Sequence, residues 1–571
     1  MLINFVKKFV YILVFFIFLS NLNAHSSNKA KIYSKENISN YFSGLISAKN
    51  NENDLALKYL NNVRDLKNEH DRFNKEFVFT LVQLQKIPEV FTYLKKLKGK
   101  NTDFFQANLL LSINYILEKK FTKSKNHLNL IIKNEENYEL EKLIARILLS
   151  HIYMFENDSD NLIKTINAIP NRYSNILLIN DAFINCYFDN EKIDQSFLKL
   201  VKSEKSNFTR YKFFYANYLV SQNRYDEALL LLDRNNNLLD NNLLLNQSKL
   251  WLEQNKIGKI KDVFDCKNIN NLTSEFLYLF ANLYSSEENY TLSNFYLNLS
   301  LFLNPNFIFN KALLGENYFY LGDYKSAKKI FLSFDSNYPI YEWYAYKRIV
   351  FIIRELEDKK SAINYLTKKF KKIDNPNLNH FFDMANYYKD FEKYEEAIEY
   401  YTKVLNNLER HDELYPKILH RRGMSYEKMK LWNESEKDLI ESLELEPEEP
   451  YVLNYLAYSW LERNINLDKS IEMLRIALNK KQEDPYIIDS LGWGMYLVGN
   501  YSEAEKLLQR AVQLMPLDPI VNDHYADILW KLNKNLQANY FWNYVLSLDT
   551  TEDEMKEKIK KKLIFGISNH S

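Results

Sequence analysis

The chain has 571 residues, and its 75 lysines and arginines balance 74 aspartates and glutamates to a net charge of +1. A nucleic-acid-binding protein normally carries a basic excess that displaces counterions, so this balance argues against a DNA or RNA partner. There are 10 glycines, where average usage would give roughly 40, and this scarcity argues against glycine-rich phosphate-binding loops and tight β-turns.

The first residues have the pattern of an export signal. Two lysines precede the apolar run 9–19, and Ala24 ends a stretch typical of a cleavage site. A helix of this run would rise about 16 Å, too little for a bilayer core of about 30 Å. We therefore predict a signal peptide at 1–24, a short linker at 25–36 and a periplasmic mature chain without a later membrane span. An uncleaved inner-membrane anchor is the alternative.

A period of 34 residues runs through the rest of the chain. In 484–519, two amphipathic segments are separated by a short turn, and the small residues Gly492, Ala504 and Ala511 would let two helices approach closely. The sequence therefore predicts a pair of helices in each period. Units in this register begin at 37, 71, 105, 139, 175, 209, 243, 274, 308, 343, 378, 416, 450, 485 and 519.

Proline supplies an independent check on this register, because it breaks helix interiors but is tolerated at helix starts and in loops. All 11 prolines fall outside the predicted helix interiors. We predict a solenoid over 37–551 of about 14 to 15 repeats, best defined in 378–551 and degenerate in 71–273.

The segment 484–519 resembles a tetratricopeptide repeat (TPR) at its small, aromatic and proline positions. This resemblance implies an all-α fold, a right-handed superhelical solenoid of antiparallel helix pairs in which each unit packs on its neighbours. The succession over 450–550 resembles a group of exported TPR proteins of Gram-negative bacteria, and 40–63 resembles the first repeat of that group. Membership would imply an envelope scaffold, in some cases an adaptor for periplasmic proteases or cell-wall enzymes.

The two cysteines are predicted to be buried free thiols. Cys186 and Cys266 lie in the units that begin at 175 and 243, with one unit between them. Helices pack 8–10 Å apart, so residues two repeats apart should be separated by roughly 20 Å. A disulfide needs Cα atoms within about 7 Å.

The residues after the last repeat, 552–571, are predicted to form a charged capping helix and tail, because the end of a solenoid needs a polar outer face. The lysines of 556–562 would also suit a membrane-surface helix. Four acidic residues within 552–557 dilute that positive charge, so capping is the preferred interpretation.

No pattern in the chain predicts catalysis. There is no HExxH and no GxSxG motif, and no long stretch escapes the repeat register to house a catalytic domain. Asp523, His524 and Asp527 form the densest group of metal-ligand types, but a solvated or partner-binding face is the preferred interpretation. We predict no catalytic residue, no metal site and no cofactor.

The resemblance also implies a binding surface, because positions 2, 5, 9 and 12 of the first helix of a TPR unit usually face the cavity. Tyr486 and Ile520 occupy position 2 in their units. Aromatic side chains with a few carboxylates suit a protein or peptide partner, although packing against neighbouring helices is the alternative. The predicted partner-binding residues are Tyr451, Asn454, Tyr458, Asp489, Trp493, Tyr496, Asp523, Asp527 and Trp530.

The sequence thus predicts a non-enzymatic protein-binding scaffold or adaptor in the bacterial cell envelope. One alternative is an architectural subunit of a secretion, pilus or outer-membrane biogenesis assembly. Another is a glycan- or lipid-handling protein that uses the aromatic groove.

Overall fold

The computed structural model describes residues 34–68, 70–97, 99–202, 208–233 and 242–567, so the predicted signal peptide lies outside the described residues. Over these ranges the regular structure consists of 31 α-helices and three short 3-10 helices, and no strand occurs. The all-α prediction is confirmed. None of the helices in the described ranges is both long enough and apolar enough to cross a membrane.

The chain divides into two compact units, Met1–Glu357 and Asp358–Ser571, here called the N-terminal and C-terminal units. The described part of the N-terminal unit contains nine helix pairs and a final single helix. Its helices α1 to α19 are Lys35–Lys49, Asn53–Asn62, Asp71–Gln83, Ile87–Leu94, Phe105–Leu117, Phe121–Lys133, Glu139–Phe155, Ser159–Asn167, Ser174–Phe188, Ile193–Val201, Tyr211–Ser221, Tyr225–Leu232, Leu243–Glu253, Ile257–Lys261, Ile269–Ser286, Tyr290–Leu303, Asn310–Tyr320, Tyr324–Phe331 and Pro339–Leu356.

Where it is described, the C-terminal unit contains a single first helix, five helix pairs and a last helix. Its helices α20 to α31 are Lys359–Phe370, Leu378–Asp390, Tyr394–Leu405, Tyr415–Lys428, Trp432–Leu445, Pro450–Glu462, Leu467–Lys480, Pro485–Leu497, Tyr501–Leu514, Pro519–Lys531, Asn535–Ser547 and Asp553–Phe565. Most first helices begin within two residues of the predicted register. Two begin earlier, α15 by five residues and α19 by four.

The turn inside each described helix pair contains at least one residue in the left-handed region of φ. Seven of these turn residues are asparagine, which tolerates positive φ better than most residues do. This conformation lets a short turn reverse the chain between the two helices. The residues are Asn51, Gln85, Lys119, Asn157, Asp189, Asn223, Asn255, Glu288, Gly322, Glu392, Lys430, Asn464, Asn466, Gly499 and Asn533.

Position 8 is counted from the first residue of each predicted unit. A glycine at this position in the first helix lies against a large residue of the second helix. At Gly492, an added Cβ would come within 2.7 Å of Leu508 Cγ and 2.8 Å of its Cδ2. Gly44 and Gly315 face Leu60 and Phe331 in the same way. The predicted reason for the small residues, close approach of the paired helices, is thus visible in the contacts.

We expect Gly492→Leu to overpack its helix pair and to lower the free energy of unfolding by about 1–3 kcal/mol. Gly258→Leu is the matched control, because nothing lies within 4 Å of a Cβ added at Gly258. Urea denaturation of both variants measures the difference. Equal midpoints for Gly492→Leu and the unaltered chain would contradict the packing argument.

The N-terminal unit does not pack only between sequence neighbours. Helices α15 and α16 contact α3, α5 and α7. The side chain of Gln83 donates a hydrogen bond to the Thr291 carbonyl oxygen at 2.7 Å, across 208 positions of sequence, and Phe79 stacks on Phe295 at 5.2 Å. The expectation that each repeat contacts only the next is therefore wrong for this unit, because the chain returns to its earlier helices.

The two cysteines form a disulfide, so the prediction of free thiols is wrong. The Cα atoms of Cys186 and Cys266 lie 6.0 Å apart. Cys266 lies in the turn before α15, the helix that returns to α7, and Phe183 of α9 lies 5.4 Å from Phe264 in the same turn. Counting repeats along a straight array overestimated the distance because the N-terminal unit closes on itself.

Candidate protein-binding site

Three first helices of the C-terminal unit, α25, α27 and α29, contact one another in succession. Each begins with an acidic residue followed by proline at the first helical position. The carboxylates of Glu449, Asp484 and Asp518 accept hydrogen bonds from the next two free backbone N–H groups of their helices. Such caps accept hydrogen bonds from backbone N–H groups that have no partner within the helix, and they place a negative charge at the positive end of the helix dipole. The three helices therefore begin in the same way.

The second residue of each of these helices is apolar or aromatic and exposed. Tyr451, Tyr486 and Ile520 have exposed fractions of 47%, 56% and 48%. We call these three residues the exposed row. The cap hydrogen bonds fix the backbone at each of these residues, while their side chains are exposed to solvent.

Beside the exposed row, one turn or more along the same helices, lies a group of aromatic rings. Trp493 stacks on Tyr496 at 4.7 Å and on His524 at 4.2 Å, and its indole N–H donates to Glu462 at 3.0 Å. The ring of Tyr458 lies 6.3 Å from His524. We call Tyr458, Trp493, Tyr496 and His524 the aromatic stack. Its members are buried or half-buried, so it stiffens the surface that carries the exposed row.

His524 of the aromatic stack also pairs with a buried carboxylate, that of Asp489. His524 Nδ1 lies 2.9 Å from an Asp489 carboxylate oxygen, and both side chains are more than nine-tenths buried. Burial alone would lower the pKa of His524, but Asp489, with Asp523 and Asp527 nearby, raises this pKa above its ordinary value. The contact between His524 and Asp489 therefore links α29 to α27.

The last helix closes this network. The Lys562 ammonium donates to the carboxylates of Asp523 and Asp527 at 2.8 Å, and Trp542 Nε1 donates to both carboxylates at 3.1 Å. Burial and the neighbouring Asp523 raise the pKa of Asp527 to about 6, although Lys562 opposes the shift. Near the end of the chain, a Cβ at Gly566 would collide with Trp530.

The structure distributes the predicted partner-binding residues over three environments. Tyr451 is exposed, whereas Asp489 and Asp527 are buried and engaged within the chain. The half-buried group consists of Asn454, Tyr458, Trp493, Tyr496, Asp523 and Trp530. Their role in binding a partner stays a prediction.

His524 and Lys562 were missed from the predicted set, whereas Tyr486 and Ile520 were placed at the cavity-facing position 2 but not included in that set. Tyr486 and Ile520 belong to the exposed row, and an acidic residue, proline and an apolar residue recur at 449–451, 484–486 and 518–520. That tripeptide could have located the row. No local pattern marks the partnership of His524 or Lys562, because their carboxylate partners lie 35 or more positions away.

Within the described ranges, no group of three histidine, cysteine, aspartate or glutamate side chains could hold a metal ion. The predicted group around His524 is arranged as ion pairs instead. Asp489 pairs with His524, and Lys562 pairs with Asp523 and Asp527.

The sequence of the C-terminal unit also matches a known repeat. The tetratricopeptide repeat profile matches residues 381–407, which comprise most of α21 and α22. A TPR repeat-containing protein of Pseudomonas aeruginosa is 33% identical over 99 residues, and this match spans 17% of each chain. Residues 381–407 are therefore similar to a tetratricopeptide repeat. Proteins built from such repeats are generally non-catalytic, and the repeat architecture indicates a scaffold for protein–protein interaction.

Solved structures with some likeness to this chain include three bacterial proteins. A tetratricopeptide repeat protein from Parabacteroides merdae is 14% identical, with a TM-score of 0.35, over 50% of this chain and 97% of its own. A TPR protein of Thermus thermophilus is 15% identical, with a TM-score of 0.29, over 33% and 100%. MamA of Desulfovibrio magneticus is 15% identical, with a TM-score of 0.27, over 31% and 97%.

Proposed function

We propose that this protein is a non-enzymatic scaffold of the bacterial cell envelope that binds a partner protein along the exposed row. The observation that carries the proposal is the recurrence of an exposed apolar or aromatic side chain, at one helical position, in three successive repeats. Exposed aromatic and apolar side chains on a rigid support are typical anchors for a protein partner.

The spacing of the row suits an extended segment of the partner. Adjacent packed helices are about 10 Å apart, and a polyproline II segment advances about 3.1 Å per residue with three residues per turn. Apolar side chains at every third residue of such an extended peptide lie on one face and would therefore meet Tyr451, Tyr486 and Ile520 in turn. The partner is expected to carry such a segment.

Two observations support placing the scaffold outside the cytoplasm. The apolar run 9–19 follows two lysines, as in an export signal. The disulfide between Cys186 and Cys266 is of a kind that persists in oxidising compartments such as the periplasm.

Fractionation should find a mature chain beginning near His25 in the periplasm, and an intact N-terminus in the cytosol would contradict this placement.

The aromatic stack is less suited to a sugar. Glycan binding needs a free aromatic face, whereas the Trp493 ring is already stacked on Tyr496 and His524.

An affinity pull-down of the mature chain from envelope extract distinguishes the remaining alternatives. Recovery of one stoichiometric enzyme favours an adaptor, and recovery of several structural proteins favours an architectural subunit.

We expect Tyr486→Ala to weaken binding of the recovered partner by 2 kcal/mol or more, roughly 30-fold, and to leave the melting temperature nearly unchanged. Tyr540→Ala is the matched control, because Tyr540 is also exposed (67%) but lies on α30, a second helix. Trp493→Ala should instead lower the melting temperature, since it removes part of the aromatic stack. Calorimetric titration and thermal melts of the three variants measure these effects. Unchanged affinity in Tyr486→Ala would remove the exposed row from the interface.

A further inference from the structure

Helix α1, the first helix in the described part of the N-terminal unit, exposes an apolar stripe. One side of α1 packs on α2, with Tyr41 and Gly44 buried. On the opposite side, Ile38, Phe42 and Ile46 have exposed fractions of 45%, 56% and 61%. They recur every fourth residue and so lie along one face of the helix. We call these three residues the α1 stripe.

The α1 stripe contrasts with the outer surface at the other terminus. A terminal helix of a repeat array normally presents a polar outer face to water. Helix α31 follows that rule over most of its length, with exposed charged residues such as Glu554 and Lys558. Helix α1 does not follow it, so its apolar face is suited to being covered.

The charge around the stripe is positive. Lys35 and Lys49 are exposed at its two ends, with Ser39 exposed between them. Within the described residues 34–50, the two lysines outnumber the single acidic side chain, Glu36, which is exposed beside Lys35. An apolar face with cationic ends suits an anionic, partly apolar surface.

We propose that the α1 stripe docks on an anionic lipid bilayer surface. The helix would lie in the plane of the interface, with the stripe inserted below the headgroups and Lys35 and Lys49 beside lipid phosphates. This membrane contact goes beyond the protein-binding function. It uses α1 of the N-terminal unit, whereas the exposed row belongs to the C-terminal unit.

A second copy of the chain fits the stripe less well. Antiparallel pairing of two α1 helices around Phe42 would place Lys35 of one copy beside Lys49 of the other, and like charges repel. Three side chains also cover far less than the roughly 800 Å² per partner that a stable protein interface buries. The charge pattern thus favours the lipid surface.

A local fluorescent probe tests the proposal in the full-length chain. Both native cysteines are in the disulfide, so Ser39→Cys offers one thiol for an environment-sensitive nitrobenzoxadiazole dye. Ser547→Cys, an exposed serine on α30, is the matched control. The vesicles contain one quarter phosphatidylglycerol and three quarters phosphatidylcholine, or phosphatidylcholine alone.

We expect the dye at Ser39 to shift to the blue with the anionic vesicles at roughly a tenth of the lipid concentration needed with phosphatidylcholine, and high salt should weaken the effect. The combined change Ile38→Ser/Phe42→Ser/Ile46→Ser should abolish the shift, and the dye at Ser547 should not respond. An absent shift, or an equal shift with both lipids, would overturn the proposal. A shift without vesicles that grows with protein concentration would instead assign the stripe to a second copy, and one that requires envelope protein would assign it to a protein partner.

Discussion

Replacing Cys186 and Cys266 together by serine is expected to lower the free energy of unfolding of the N-terminal unit by about 2–4 kcal/mol. The disulfide joins residues 80 positions apart, and closing so long a loop removes much conformational freedom from the unfolded chain. The loop includes α10 to α14, and the bond holds the turn before α15 to α9. Chemical denaturation under oxidising conditions measures the change.

The unaltered chain after reduction is the control for the cysteine substitutions. Reduction should reproduce the loss of stability, and it should have no further effect on the double-serine variant. A chain whose unfolding midpoint is unaffected by both treatments would contradict the assignment. Thiol labelling of both cysteines in protein isolated from cells without added reductant would also contradict it.

Replacing Lys562 by methionine is expected to cost about 3 kcal/mol of stability in the C-terminal unit. The substitution keeps the length of the side chain but leaves Asp523 and Asp527 without their cation. The cost is taken from the low end of the range for buried pairs because the Lys562 side chain is still 21% exposed. Lys561→Met is the matched control, since Lys561 is its exposed neighbour on the same helix.

The loss in Lys562→Met should depend on pH. The pKa of Asp527 is about 6 in the folded chain and 3.8 when unperturbed, so ionisation of Asp527 opposes folding as pH rises between these values. Lys562 lowers the pKa of Asp527. Without Lys562 this pKa is expected to be higher, so that ionisation of Asp527 destabilises the folded chain up to a higher pH. The variant should therefore be nearly as stable as the unaltered chain at pH 4 and clearly weaker at neutral pH. A deficit that is equal at both pH values would contradict the ion-pair account, and Asp527→Asn should restore part of the lost stability.

The helix pairs could be predicted because their determinants are local. Small residues such as Gly492 indicate where two helices meet, and the positions of the prolines within the repeat indicate where helices begin. One further signal was available, the turn residue with positive φ, which is asparagine at Asn51, Asn223 and Asn533 among others. Asparagine recurs in these turns because it tolerates the left-handed conformation better than most residues do.

The closure of the N-terminal unit could not be predicted from the repeat. A period of 34 describes how a helix pair packs on the next pair, but contacts such as Gln83 with Thr291 join distant repeats. These contacts depend on accumulated small rotations between pairs and on single polar side chains with no pattern in sequence. The wrong prediction for Cys186 and Cys266 has the same origin.

The candidate site was predictable in position but not in detail. Position 2 of the first helix led to Tyr451, and its equivalents Tyr486 and Ile520 complete the exposed row. The carboxylates Asp489 and Asp527 lie on the predicted helices but are paired within the chain. Their partners come from another repeat and from the capping helix, and helical periodicity alone does not reveal such pairing.

Photo-crosslinking in living cells tests the central claim most directly. A benzophenone amino acid replaces Tyr486 in one strain and Tyr540 in another, so both probes are exposed and lie on neighbouring repeats. Binding along the exposed row predicts one discrete protein adduct from position 486, weakened by Tyr451→Ala, and none from position 540. Equal adducts from both positions, or no adduct from position 486 while the pull-down recovers a partner, would contradict a protein-binding surface at this row.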